Sequence, residues 1–216
     1  MGGTGRIKTD VGSIIMYTAA FNKFVNDEEV INFIRKYSFG TIVTTVNGLP
    51  EATHLPFLIE LRDNKVVLIS HFAKANTQAA AIVNETSLVI FTEPHAYIST
   101  SNYEKETNVP TWNYIAVHAY GKAVLITDNI KVDNLLRKTI SYYELDYLKQ
   151  WDSLSEAFKL KMMNGIVAFE IVVDNLQAKK KLSQNRTEVE RAKIIDNLGK
   201  SADKNEQEIA RYMKRT

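Results

Sequence analysis

The stretch from Thr111 to Leu125 constrains the fold more than any other part of this sequence. Its apolar residues recur at period two, the pleat of a β-strand, with Trp112, Tyr114, Ala116, His118 and Tyr120 on one face and Ile115, Val117 and Ala119 on the other. Both faces carry apolar bulk, so both need cover. A long strand covered on both sides suits a barrel wall that also forms a subunit interface.

The flanking sequence supplies more strands. Phe39 to Val46 is rich in Thr, Ile and Val, Asn47-Gly48 is a type I′ hairpin signal, and Glu51 to Leu61 continues as a second apolar run. The turn Arg62-Asp63-Asn64-Lys65 leads into Val66 to Ser70, and Ser87 to Phe91, Ala96 to Ser99 and Ile166 to Val173 read as further strands. A polar loop is expected from Thr100 to Asn108. Helices punctuate this set. One opens at Asn26, with Glu29 at capping-box spacing, and a brief one covers Thr77 to Val83. One runs through Val132, Leu135 and Ile140, and another is capped by Ser153 with Glu156. Six or more strands without β-α-β alternation predict a mostly β fold with flanking helices, an antiparallel barrel.

Three segments are expected: a poorly ordered leader or upstream start over residues 1–15, a barrel domain over 16–178, and a basic helical segment over 179–216. The last opens on Lys179-Lys180-Lys181 and carries two helices, Thr187 to Leu198 and Asn205 to Met213, broken at Gly199. The chain has no cysteine, which excludes disulfides, thiolate metal sites, iron–sulfur clusters and thiol nucleophiles. A net charge of +2 gives no overall pull toward polyanions. No apolar run reaches the roughly 20 residues that cross a bilayer, and a cytoplasmic protein without membrane contact is expected.

Two stretches could carry chemistry. Ser70, His71, Lys74, Ala75, Asn76 and Gln78 lie where a strand passes into a helix, and free N–H groups there, with cationic and hydroxyl donors added, make a phosphate cradle. The same residues also read as an ordinary turn capped by Asn76 or Thr77, with Lys74 in solvent. Thr111, Trp112 and Asn113 place a large ring and an amide at a strand mouth, able to cover a planar ring and bond its edge, or simply to pack. His54, His71, His95 and His118 are isolated, so no metal site is expected. Familiar hydrolase, NTPase and Rossmann motifs are missing.

His54-Leu55-Pro56-Phe57, His71 through Gln78, Pro94 through Ser99, Val109 through Gly121 and Lys181-Leu182-Ser183-Gln184-Asn185-Arg186 together resemble the PaiB-type FMN-binding negative transcriptional regulators, members of the split-barrel flavoproteins. The resemblance implies a six-stranded split barrel, a homodimer, and FMN as cofactor at the dimer interface. It implies that His54, Leu55, Pro56 and Phe57 line the isoalloxazine and that Ser70, His71, Lys74 and Asn76 hold phosphate or ribityl oxygens, with Ala75 and Gln78 in the same motif. Thr111, Trp112 and Asn113 would approach the ring. Lys181, Ser183, Gln184, Asn185 and Arg186 would close the site, from either subunit.

Two functions follow from that resemblance. One is regulation of transcription, direct or indirect; residues 178–216 hold eleven Lys or Arg against six Asp or Glu, a weak signal for DNA against the alternative of helices that cap the barrel. The other is an FMN-dependent oxidoreductase acting on a small molecule, with His54, His71 and His118 as acid–base candidates and no catalytic residue assigned. A haem-handling barrel would need an axial ligand that nothing in the sequence singles out.

Overall fold

In the computed structural model, the structure describes residues 16–18, 22 and 27–215. The expected leader over residues 1–15 and the Asn26 cap lie outside the described residues. Helix α1 (Asp27–Lys36) buries Val30, Ile31, Phe33 and Ile34. It leads into the hairpin β1 (Phe39–Val46) and β2 (Leu49–Pro56). Asn47 and Gly48 both take positive φ, 51° and 81°, the backbone of the type I′ turn that their sequence predicts. β2 then breaks at Phe57, whose N–H donates to the Ser38 carbonyl at 2.8 Å, and the chain resumes as β3 (Leu58–Arg62). The run expected from Glu51 to Leu61 is therefore two strands.

β4 (Lys65–Ala73), the short helix α2 (Gln78–Ala81), β5 (Thr86–Ile98) and β6 (Thr111–Ile126) follow, then α3 (Asn129–Tyr143), α4 (Tyr147–Ser153), α5 (Glu156–Met163), β7 (Ile166–Val172) and β8 (Asn175–Lys181). The expected strands at 87–91 and 96–99 are one continuous β5, with a register shift between Thr92 and His95 and a cis Glu93–Pro94 bond. Ser155, not Ser153, caps α5: its hydroxyl accepts from the Phe158 N–H, while Ser153 ends α4.

The strands form one antiparallel sheet in the order β2-β1-β5-β6-β7-β4-β3, with β8 also on β6. β6 is the wall. Its Tyr114–Tyr120 stretch pairs β8, and Ala123–Ile126 pairs β7. Gly121 marks the change of partner: a Cβ there would sit 2.4 Å from the Val172 carbonyl oxygen, so only glycine lets the strands approach this closely. β2, at one end of the sheet, reaches β4, next to the other end, where Ser70 Oγ donates to the Pro56 carbonyl at 2.7 Å. Among the described residues eight strands thus build the split barrel, rather than six. The two extra come from the break at Phe57 and from β8, which also runs across the boundary expected at residue 178.

Inside, Phe57, Phe72, Phe91, Phe169, Ile42, Leu68, Ile115 and Ile171 are fully buried, and the Phe72 and Phe169 rings stack at 5.0 Å. A smaller cluster, Val67, Ile69, Val132, Leu135, Met163 and Ala168, seats α3 and α5 on the outer face of β4 and β7. Helices α6 (Glu188–Gly199) and α7 (Lys204–Met213) close the chain. Thr187 caps α6, accepting from the Glu190 N–H as its capping-box spacing predicts. α7 lies on β5 and buries Ile209, Ala210 and Met213.

Candidate functional site

The strand alternation of β6 divides its residues as the sequence implies, but a single chain covers the two sides unequally: on the Trp112 side Ala116 is buried and Tyr114, His118 and Tyr120 are half-buried. Asn113, Ile115, Val117 and Ala119 are buried inward, whereas Trp112 on the opposite face is 51% exposed. His95 and Tyr97 flank Trp112 from β5, with ring centroids 5.8 and 5.7 Å away. Tyr97 is itself 47% exposed.

The expected cofactor residues fall into two groups. The first gathers where β2 meets β4. His54 is exposed and stacks on Phe39, Pro56 is half-buried, and Leu55 and Phe57 turn their side chains into the core. Ser70 is buried and engaged by Pro56. His71 shares the outer face of β4 with Val67 and Ile69, and burial holds its imidazole below the ordinary value of 6.5, which favours the neutral ring.

The strand-to-helix turn is more internally committed than its composition suggests. Asn76 Nδ2 donates to Thr53 Oγ1 at 3.0 Å, and Asn76 Oδ1 caps the turn by accepting the Gln78 N–H at 2.9 Å. Thr77 Oγ1 donates to Glu51 at 2.9 Å. Gln78 is fully buried: its Oε1 accepts from Thr53 Oγ1 at 2.6 Å, and its Nε2 faces the Ile42 and Glu51 carbonyls and Thr44 Oγ1 at 3.1–3.2 Å. α2 has only four residues, so its N-terminus offers little dipole. Lys74 and Ala75 are exposed, and among the described residues no hydrogen bond or ion pair holds the Lys74 ammonium.

The second group surrounds the start of β6. Lys181 donates to Thr111 Oγ1, and Ser183 Oγ donates to Asn113 Oδ1 at 3.0 Å. Asn113 is fully buried, facing the C-terminal helices rather than an open cleft. Gln184 bridges its own loop, donating to the Lys180 carbonyl at 2.6 Å and accepting from the Leu182 N–H at 2.7 Å. Arg186 donates to Asn108 at 2.8 Å and stacks over Tyr103 at 3.7 Å, while Asn185 is exposed.

No hydrogen bond or ring contact joins the two groups among the described residues. Strand pairing aligns His54, Thr41, Ile90 and His118 across the sheet, three strand spacings or about 14 Å. Trp112 lies six residues further along β6, about 20 Å beyond that row. The donor chemistry suits a flavin phosphate and ring: an unpaired ammonium at one place, open aromatic faces at the other. His118 is half-buried, and burial holds its pKa low as well. His54, His71 and His118 do not converge on one another. The sequence reading did not single out Tyr97 or Phe39, whose rings complete the exposed surfaces beside Trp112 and His54; their exposure is a property of the sheet, not of any motif.

Residues 16–175 match the family model described as "Putative FMN-binding domain". The chain is also 41% identical over 200 residues, covering 92% of it and 96% of the relative, to the Protease synthase and sporulation protein PAI 2 of Bacillus subtilis. The chain belongs to the PaiB-type FMN-binding family. FMN is its cofactor. The fold is shared with the flavocytochrome Anf3 of Azotobacter vinelandii, at a TM-score of 0.60 and 16% identity over 77% of this chain and 70% of that one. It is shared too with the FAD and heme binding protein of Mycobacterium smegmatis, at 0.58 and 15% over 74% and 73%. At those identities the likeness is one of fold, that of the split-barrel flavoproteins. None of the helices among the described residues is long and apolar enough to cross a membrane.

Proposed function

We propose that two copies of this PaiB-type chain build each flavin site together. The β2–β4 mouth of one copy supplies the Lys74 ammonium for the phosphate and the His54–Phe57 edge for the ring; Leu55 and Phe57 contribute backbone alone. Trp112 and the Lys181–Arg186 loop of the partner close over it. One observation carries this reading: Trp112 and Tyr97 stand about half exposed on the wall of the barrel, and aromatic surface of that kind is what subunit interfaces cover. The separation of the two residue groups within one chain agrees with it. Bound flavin supplies redox chemistry, and the chain supplies binding, orientation and electrostatics.

The relative's name ties that protein to protease synthesis and sporulation. We propose that this chain likewise regulates gene expression, through its flavin state and indirectly, in a cytoplasmic setting that its cysteine-free composition supports. Direct reading of DNA by α6 and α7 is disfavoured. A recognition helix presents its N-terminal residues to base edges, whereas the first turn of α6 carries Glu188 and Glu190, that of α7 carries Glu206 beside Lys204, and Arg211 is paired with Glu208 at 2.7 Å.

The test is an FMN titration of purified protein by fluorescence quenching, with molar mass measured by light scattering. Saturation at one FMN per chain on a particle of twice the chain mass is expected. A monomer, or FMN whose fluorescence never changes, overturns the reading.

A further inference from the structure

Ser183 holds a left-handed backbone, φ 57°, at the centre of the Lys181–Arg186 loop. A non-glycine residue keeps that conformation only where its surroundings over-determine it. Here they do. Beyond the Gln184 bridge and the Ser183–Asn113 bond, the Arg186 N–H donates to the Ser183 carbonyl at 3.1 Å. Arg191 then reaches in from α6, donating through one nitrogen to the Leu182 carbonyl and through the other to the Met213 carbonyl, each at 3.0 Å.

These bonds form a closed circuit. Met213, at the end of α7, places its sulfur 3.5 Å from Asn113 Nδ2, and Asn113 accepts from Ser183, the residue after Leu182. Asn113, Leu182 and Met213 are all buried. Because side chains alternate along β6, the Asn113 amide faces into the circuit and the adjacent Trp112 ring faces out. α6 also holds the loop before β6: Asn197 donates to Asn102 at 2.6 Å, and Glu190 accepts the Glu104 N–H at 3.1 Å. The loop that leads into Trp112 and the Lys181–Arg186 loop beside it are thus both fastened to α6, and α7 joins the second through Met213.

We propose that Arg191 is a positioning residue for the flavin site, clasping α6 and α7 onto the Lys181–Arg186 loop so that flavin occupancy and docking of the C-terminal helices are thermodynamically coupled. This rests on the flavin site proposed above. Coupling is reciprocal: whatever factor the docked helices add to flavin affinity, bound flavin adds to helix docking. A guanidinium suits the role because its planar fork reaches two carbonyls at once, which a lysine ammonium on a flexible stem does less well.

Hydrogen exchange of the wild-type dimer with and without FMN tests the coupling without any variant, and FMN titrations of Arg191→Met and Arg191→Lys test the residue. FMN is expected to slow exchange across residues 188–215. Arg191→Met is expected to weaken FMN about tenfold while amides of β4 and β7 exchange as before, with Arg191→Lys falling between. Wild-type protein that binds FMN with exchange at 188–215 unchanged, or Arg191→Met that binds FMN as wild type does, overturns the coupling alone. Wild-type protein that leaves FMN fluorescence unchanged overturns the flavin site, and this proposal with it.

Discussion

Replacing Gln78 separates two roles that look alike in the sequence. As a cofactor ligand, Gln78 would leave the empty protein's stability untouched when removed; as the buried strut of the structure, it would not. Its Nε2 carries two hydrogens and faces three acceptors, and its Oε1 accepts one bond, so three hydrogen bonds are made at a time. At about 1 kcal/mol net for each, Gln78→Ala loses about 3 kcal/mol. For a chain of this size that lowers Tm by roughly 6–12 °C. Calorimetry of the FMN-free protein reads the loss directly, and an FMN titration well below the new Tm should give a dissociation constant within about threefold of wild type. Gln78→Glu keeps the shape but turns a donor pair into acceptors facing two carbonyls, so it should destabilise at least as much. An unchanged Tm together with sharply weakened FMN binding would refute the strut and return Gln78 to the site.

Lys74→Ala should weaken FMN by roughly 1.5–3 kcal/mol, about 10- to 150-fold, through loss of a charge-assisted bond to the phosphate, and an unaltered dissociation constant would remove Lys74 from the site. Gly121→Ala should cost roughly 1–3 kcal/mol in a denaturant melt, because the new methyl meets the Val172 carbonyl oxygen at 2.4 Å and Ile171 Cγ2 at 2.7 Å. Acidification should weaken the fold in two stages. His71 and His118 are held below 6.5 by burial, so the unfolded chain takes up protons first and stability falls as pH drops below about 6.5. Burial pushes the Glu60 and Glu208 carboxyls up, but hydrogen bonds from Lys138 and Arg62, and from Lys36 and Arg211, outweigh it and leave both below 4.5; their contribution holds above that pH and is lost as pH falls through their folded values. A Tm that stays level from pH 7 to 5 would contradict the first stage.

The parts of the fold that were legible in the sequence are those set by short-range chemistry. Asn47-Gly48 specified its turn because two consecutive positive φ values suit few other residue pairs. The pattern of β6 specified a strand because Ile115, Val117 and Ala119 alternate without interruption. β8 was hidden by its lysines: Leu176 and Ala178 alternate as a strand should, but Lys179-Lys180-Lys181 reads as a solvated charge run. In the structure Lys179 is buried between the Tyr17 and Tyr114 rings, and Lys180 pairs with Glu29 at 2.8 Å. The break at Phe57 depends on a distant carbonyl, that of Ser38, and no local pattern marks it. For the candidate site, motifs mark segments of chain, but which way a side chain faces is decided by the pleat and by tertiary partners. Thus Asn113 and Gln78, both polar and both within recognised motifs, turn inward.

Subunit mixing distinguishes a flavin site drawn from two chains from one drawn from a single chain. Lys74→Ala and Trp112→Ala proteins, each weak for FMN alone, are mixed, allowed to exchange subunits, and titrated with FMN. In a hybrid dimer, the Lys74 mouth of one chain would face the Trp112 of the other, so one of the hybrid's two sites would be intact. Random mixing then restores wild-type affinity to about a quarter of all sites. Recovery of that fraction is expected of a shared site; hybrid dimers that form with no tight site regained would place both groups in a single chain and overturn the two-chain site.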